Sequence, residues 1–254
     1  MNRLLIFLKM IQIVKNWHMI FFVYFKIYKK EFFNLYLKNG LEIKLRTKST
    51  DLQAFTNVWV LKEYVIKEFE TSKNDVVIDI GGHVGLFALY ASMMSPNGRI
   101  ISIEPYSQNF SLLKENVIKN NLNNIIPVNK AITNSNKNIE LFIDDNDDSA
   151  HSIYNNGKNS IQIESTTLEA IMNENQILEC DMLKIDCEGA EFDIIESLSN
   201  KELSKIRKIA LEYHLKENNK SSLKNLTKRL EEMSFDINIE TTNDFLGMLY
   251  AKMK

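Results

Sequence analysis

The sequence predicts an α/β fold: a doubly wound, mostly parallel sheet covered by helices on both faces. Three observations predict it. Short apolar runs such as Val76-Val77-Ile78 alternate with segments of helical period from residue 76 onward, an order that implies right-handed crossovers between parallel strands. Two of these runs lead into glycine-opened helices, at Gly81 and Gly189. Finally, a chain of 254 residues, 44% hydrophobic and 25% charged, suits one large domain with an appendage better than two equal domains.

The elements follow in order. Residues 1–50 read as a basic amphipathic helix plus a β-hairpin, whose strands Phe32 to Leu37 and Leu41 to Leu45 flank Asn39-Gly40, a dipeptide suited to a tight turn. Lys9, Lys15, Asn16, His18 and Lys26 interrupt the early apolar runs, so neither a spanning helix nor a secretory signal is expected. That leaves two roles for residues 1–30: packing on the main domain or on a second subunit of a homodimer, and peripheral contact with anionic membrane lipid.

The main domain is expected over 51–254. Asp51 to Phe69 carries apolar residues at close to a helical period. Strands are predicted at 76–80, 99–104, 125–129, 181–186, 206–213 and 235–240, with a last one near 246–252, and helices at 84–94, 107–121, 167–173, 190–198 and 220–232. Ile139 to Ile143 and Ile161 to Glu164 are further β-like stretches around the polar loop Asp144 to Asp148, which with His151 reads as a solvated turn rather than a metal site. Ser234 to Met253 looks like a hairpin, which makes the final strand antiparallel.

Charge and cysteine content narrow the partners. Residues 1–50 hold ten Lys or Arg against Glu31 and Glu42, so a segment of +8 leaves −10 for the rest of a chain of net charge −2; nucleic acid is a poor partner for so acidic a body. Cys180 and Cys187 have no metal-ligand or C-x-x-C spacing and read as buried thiols of a reducing, cytoplasmic setting.

The first chemical constellation is Asp79-Ile80-Gly81-Gly82-His83-Val84-Gly85. A strand runs through a glycine turn into a helix, which presents backbone N–H groups to a ligand at the strand's carboxyl end. A dinucleotide fingerprint needs G-x-G-x-x-G, whereas this segment has D-x-G-x-x-x-G. Asp79 there would repel an anion over the turn and favour the sulfonium and amino groups of S-adenosylmethionine. Glu104-Pro105 ends the next strand, 23 residues after Gly81, and a carboxylate there can accept both ribose hydroxyls of an adenosine.

The second constellation is Lys184-Ile185-Asp186-Cys187-Glu188-Gly189-Ala190-Glu191, a strand with charges at alternate positions followed by a glycine. Lys184, Asp186 and Glu188 in a buried strand cost free energy unless paired or functional. Together with Thr166-Thr167-Leu168-Glu169 and Leu211-Glu212-Tyr213-His214, these segments resemble the FkbM family of methyltransferases in order and spacing, over about residues 50–215. Glu169 stands where that family usually has Asp, and Cys187 where Val is common.

The resemblance implies a Rossmann-like, seven-stranded methyltransferase sheet, S-adenosyl-L-methionine as cofactor, and O-methylation of polyketide, sugar or glycan hydroxyls. It places Asp79, Gly81, Gly85 and Glu104 on the cofactor, with Asn129 to Ala131 near adenine. Gly82, His83, Pro105 and Asp186 join that set by position. Methyl transfer requires positioning of the acceptor and removal of its proton. Asp186, Glu212 and His214 should converge over one sheet edge, with Lys184 beside them. His214 is the better proton acceptor near neutral pH, and Asp186 with Glu212 would orient it or bind a divalent ion; no metal is assigned. The competing readings are a nucleotide-dependent oxidoreductase, against which the glycine spacing argues, and a non-catalytic, membrane-associated nucleoside-binding protein.

Overall fold

The computed structural model describes residues 3–143, 159–215 and 220–254. Its first elements are helices α1 (Arg3–Ile13) and α2 (His18–Tyr24), then the antiparallel hairpin β1 (Phe32–Tyr36) and β2 (Glu42–Arg46). The hairpin is as expected, but the N-terminal helix is two helices. Val14 between them forms a bridge with Leu37, and Asn16 accepts the Tyr36 amide and donates to the Asn34 carbonyl. The hairpin edge thus takes the backbone groups that a continuous helix would have paired.

The helical period over 51–69 yields only α3 (Asp51–Phe55) and a π-helical segment, Thr56–Leu61, which ends where Lys62 turns left-handed at φ 58°. Val65 and Phe69 are still buried, without a helix beneath them. Tertiary bonds explain the stop: the Glu63 carbonyl accepts the Tyr250 hydroxyl and the Tyr64 hydroxyl reaches across to Asp186 and Glu212, placements that a continuing helix would not allow. Local periodicity yields to those contacts.

The central elements are β3 (Val76–Ile80), α4 (Leu86–Met94), β4 (Arg99–Ile103), α5 (Ser107–Lys119) and β5 (Ile125–Val128). Then come β6 (Ala131–Ile132), β7 (Ile139–Ile143), β8 (Asn159–Ile163), β9 (Ser165–Thr166) and α6 (Leu168–Glu174). The chain closes with β10 (Met182–Ile185), α7 (Glu191–Ser197), α8 (Asn200–Leu203), β11 (Lys208–His214), α9 (Lys220–Glu232), β12 (Phe235–Asn243) and β13 (Leu246–Met253). Seven strands form the main sheet in the order β12-β13-β11-β10-β3-β4-β5. β3, β4, β5, β10 and β11 pair in parallel, and β13 runs antiparallel to both its neighbours. The predicted fold class and the antiparallel last strand are both present.

Successive strand residues feed opposite layers, as a pleated backbone dictates. Val77, Ile100 and Met182 face α4, α5 and the N-terminal elements, whereas Ile78, Ile101 and Leu183 face α6, α7 and α9. The two further β-like stretches are β7 and β8, which pair with each other outside the main sheet. Asp144 to Asp148 and His151 lie outside the described residues. Among the described residues, no helix is long and apolar enough to cross a membrane.

Candidate active site

The carboxyl ends of β3, β4, β10 and β11 meet around a cavity of about 680 Å³, a size that suits a small-molecule ligand. At its floor is the glycine turn after β3. Gly81 has φ +80°, and a Cβ there would lie 1.7 Å from the Asp186 carbonyl oxygen. The glycine is therefore required by the close approach of β10 to the turn, as well as by the backbone angle. The Gly81 and Gly82 amides both donate to the Ile103 carbonyl, tying the turn to the end of β4.

Asp79 does not reach the cavity. It has no exposed surface, accepts the Ser102 hydroxyl at 2.7 Å and lies 3.1 Å from the Lys184 ammonium. Lys184 in turn donates to the Gly81 carbonyl at 2.7 Å. Asp79 and Lys184 thus brace the turn from inside the sheet, and burial of the pair is compensated by mutual contact. Carboxyl groups line the cavity at Glu104, Asp186, Glu188 and Glu212 instead, beside Lys130, Lys184 and His214. Gly85 and Asn129 also lie outside the lining, whereas Gly82, His83, Pro105 and Ala131 are in it. Asn129 holds the Glu104 and Pro105 carbonyls through its side-chain amide, so its contribution is to the shape of the loop.

Glu104 is 5% exposed and accepts the His83 and Tyr106 amides at 2.8 and 2.9 Å. Burial pushes its carboxyl up to about 7, against those stabilising hydrogen bonds. His83, at φ +49°, is lowered by burial and sits 3.1 Å from an Arg46 guanidinium nitrogen. Arg46 can only donate, so Nε2 of His83 is the acceptor and the ring is neutral. Arg46 also forms a bidentate pair with the buried Asp51, and its contact with His83 links the hairpin to the glycine turn.

Tyr64 lines the same cavity and is the residue that sequence reasoning missed. Its hydroxyl lies 2.8 Å from Asp186 Oδ2 and 3.0 Å from Glu212 Oε2, while the Lys184 ammonium sits 5.1 Å from its ring centroid. Burial, with Asp186 next, raises Glu212 to about 7. The Tyr64 phenol is pushed well above its ordinary value, first by burial and then by the two carboxylates, and so keeps its proton. One hydroxyl hydrogen serves one carboxylate at a time, and Glu212, raised to about 7, takes up a proton as the pH falls through neutrality.

His214 lines the same cavity beside the triad. Its Nδ1 is 2.9 Å from the buried Glu191 carboxylate, which also accepts the Cys187 and Gly189 amides, and its Nε2 is 3.5 Å from Glu188. Burial alone would lower it, but Glu191 and then Glu188 raise it to about 10. Asp186, Glu188 and His214 offer ligand atoms within 4.8 Å of one another, and a cation there would have to displace the proton that Glu191 and Glu188 favour on His214. Of the cysteines, Cys180 is fully buried, with its thiol pushed up to about 12 mainly by burial.

The sheet order with its antiparallel last strand, the glycine turn over β3 and the acid after β4 together define a Rossmann-like fold of the methyltransferase type. The Methyltransferase FkbM domain matches residues 79–237, and the chain belongs to that family. "Methyltransferase 1" of Beauveria bassiana (strain ARSEF 2860) is 22% identical over 157 residues, a match that covers 54% of this chain and 63% of that relative's length. Among solved structures, the METTL16 MTase domain is similar at TM-score 0.50 and 15% identity, over 84% of this chain and 73% of that one. M. jannaschii TYW2, solved in complex with AdoMet, gives a TM-score of 0.49 at 13% identity, over 89% and 86%. At such identities the likeness is one of fold.

Proposed function

We propose that this methyltransferase methylates a hydroxyl oxygen of a sugar, glycan or other small-molecule acceptor, with Asp186 as the proton acceptor. The observation that carries this is the shared Tyr64 hydroxyl between Asp186 and Glu212, on the cavity wall beside the glycine turn. When bound, S-adenosylmethionine supplies an electrophilic methyl group on a cationic sulfur. Gly81, Gly82, His83, Glu104, Pro105 and Ala131 are the residues placed to hold it, and Glu104 has a carboxylate fit for paired ribose hydroxyls.

The rest of the chemistry belongs to the chain's own side chains. An acceptor hydroxyl held against Asp186 would give its proton to that carboxylate. Tyr64 fixes Asp186 by donating to it, and Glu212 in its protonated form donates to the Tyr64 oxygen. Lys184, whose ammonium is 3.9 Å from Asp186, orients the carboxylate from below. His214 is held as an imidazolium, so it has no lone pair for the acceptor's proton near neutral pH; its part is to fix Glu191 and Glu188 at the rim. A carboxylate cluster that pairs with adjacent hydroxyls suits a polyol, and the body's negative charge disfavours a nucleic acid acceptor.

Calorimetry and turnover test the reading together. The wild-type protein should bind S-adenosylhomocysteine and not NAD. Asp186→Asn should lose about 10²–10⁴ in turnover with a panel of saccharide acceptors, while its S-adenosylhomocysteine affinity stays within a few-fold. Preference for NAD would reject the donor assignment, and full activity of Asp186→Asn would reject the proton acceptor.

A further inference from the structure

We propose that residues 3–30 dock this enzyme onto an anionic lipid bilayer, as a rigid foot in the interface rather than a spanning segment. Of the fifteen large hydrophobic side chains that stand exposed among the described residues, nine fall between Leu4 and Ile27. The ordinary reason for an apolar helix residue, burial in the core, is already met on the other side of the same elements. Met10, Val14, Ile20 and Val23 are buried in the core cluster shared with the hairpin and α4. α2 is therefore apolar on both its faces, and the outward one holds Phe21, Phe22, Tyr24 and Phe25, between 39% and 62% exposed. A contiguous patch of that kind on a protein surface marks an interaction site.

The chemistry of the patch selects the partner. Phe21 and Phe25 lie with ring centroids 4.5 Å apart, Phe21 and Phe22 at 6.1 Å, Tyr24 and Phe25 at 5.2 Å, and Trp17 meets Phe7 edge-on at 5.9 Å. A continuous aromatic surface with polar-tipped Trp and Tyr is the composition favoured at the headgroup level of a bilayer. Residues 1–30 also contain six Lys or Arg and no Asp or Glu, in a chain whose remaining residues carry −8. Long basic side chains beside an apolar surface can bury their stems and place their charges among anionic headgroups. A face between copies of the same chain would instead bring two sets of these cations together without an acidic complement.

The foot is fixed to the body and does not trail as a tether. The Lys15 amide donates to the Tyr36 carbonyl and the Lys38 amide to the Ile13 carbonyl. The Thr47 hydroxyl holds the Lys30 and Glu31 carbonyls where the foot ends. Membrane attachment would thus orient the whole sheet and its cavity relative to the lipid.

The test uses the full chain with vesicles of phosphatidylcholine alone and with 30% phosphatidylserine, the compositions being about those that resolve surface-charge effects. Expected is at least about tenfold stronger partitioning to the anionic vesicles, weakened at least about tenfold by 0.5 M salt. Phe22→Ser with Tyr24→Ser and Phe25→Ser should abolish it while leaving S-adenosylhomocysteine affinity unchanged, which certifies the fold. Equal partitioning to both vesicles, or unaltered binding by the triple variant, overturns the proposal. So does loss of a dimer in the triple variant with no vesicle binding by wild type, which would assign the patch to a second copy of the chain. None of these readouts depends on methyl transfer.

Discussion

Glu191→Gln isolates the ion pair at the rim of the cavity. The glutamine keeps the shape and an acceptor oxygen for the Cys187 and Gly189 amides, and removes the charge that holds His214 as an imidazolium. His214 stands at about 10 in the folded protein against an ordinary value of 6.5. At about 1.4 kcal/mol per unit, the whole raised affinity for the proton is worth up to about 4–5 kcal/mol. Glu188 and Asp186 supply part of it, which leaves about 2–3 kcal/mol to Glu191, the range of a charge-assisted buried bond. Because the folded value lies above the unfolded one, this stability is complete below about pH 6.5 and is lost as pH rises through about 10. Urea unfolding followed by tryptophan fluorescence should therefore show the variant about 2–3 kcal/mol less stable at pH 7, with the gap closing to under about 1 kcal/mol near pH 10.5. At that pH wild-type Glu191 is a buried charge facing a largely neutral ring. A gap of the same size at both pH values would show that the loss is one of packing, and would refute the imidazolium assignment along with the argument that removes His214 as proton acceptor.

Two further outcomes follow from the site geometry. Tyr64→Phe removes the hydroxyl that joins Asp186 to Glu212 and should cut turnover about 10–100-fold, with S-adenosylhomocysteine affinity by calorimetry within about threefold; unchanged turnover would remove Tyr64 from the proton path. Gly81→Ala forces a Cβ to within 1.7 Å of the Asp186 carbonyl at φ +80°, and should cost about 3 kcal/mol or more, lowering the thermal midpoint by at least about 6 °C; a midpoint within 2 °C of wild type would contradict the close approach of β10 to the turn.

The sheet was legible because its two periodicities differ. Val76-Val77-Ile78 and Ile100-Ile101 are too short for buried helices, and α5 and α9 carry their apolar residues three and four apart, so the order of elements could be read locally. The register could not, and with it went the partners of each charge. Asp79 is two residues before a glycine in sequence, which suggests a ligand contact; in space it is buried against Lys184 and Ser102, because β10 and β4 flank β3 on either side. Lys184 at alternate spacing from Asp186 was the available clue to a structural ion pair. Tyr64 was hidden by a helical period that continues past the point where the helix stops. The signal that could have found it is chemical, since a Tyr in an apolar run needs a partner for its hydroxyl when buried. α8 went unpredicted although Ser199 and Glu202 form a capping box, a motif that a search for spacing S-x-x-E would have located.

The hairpin ahead of the domain shapes the site as firmly as the sheet does. Its outer strand is held to α5 by side chains that imitate a neighbouring strand: Asn116 accepts the Lys44 amide at 2.8 Å and Asn120 accepts the Glu42 amide at 2.8 Å, while their amide groups donate back to the Lys44 and Glu42 carbonyls. These bonds satisfy an edge that would otherwise be open to pairing. They also fix Arg46, the last residue of β2, whose guanidinium meets both Asp51 and His83. His83 sits within the glycine turn and its amide donates to Glu104, so a chain of direct contacts runs from the hairpin edge through the turn to the buried Glu104 carboxyl. A displacement of the hairpin would reach Glu104 through Arg46 and His83, and because the same turn packs against Asp186 at Gly81, it would be felt on both sides of the turn.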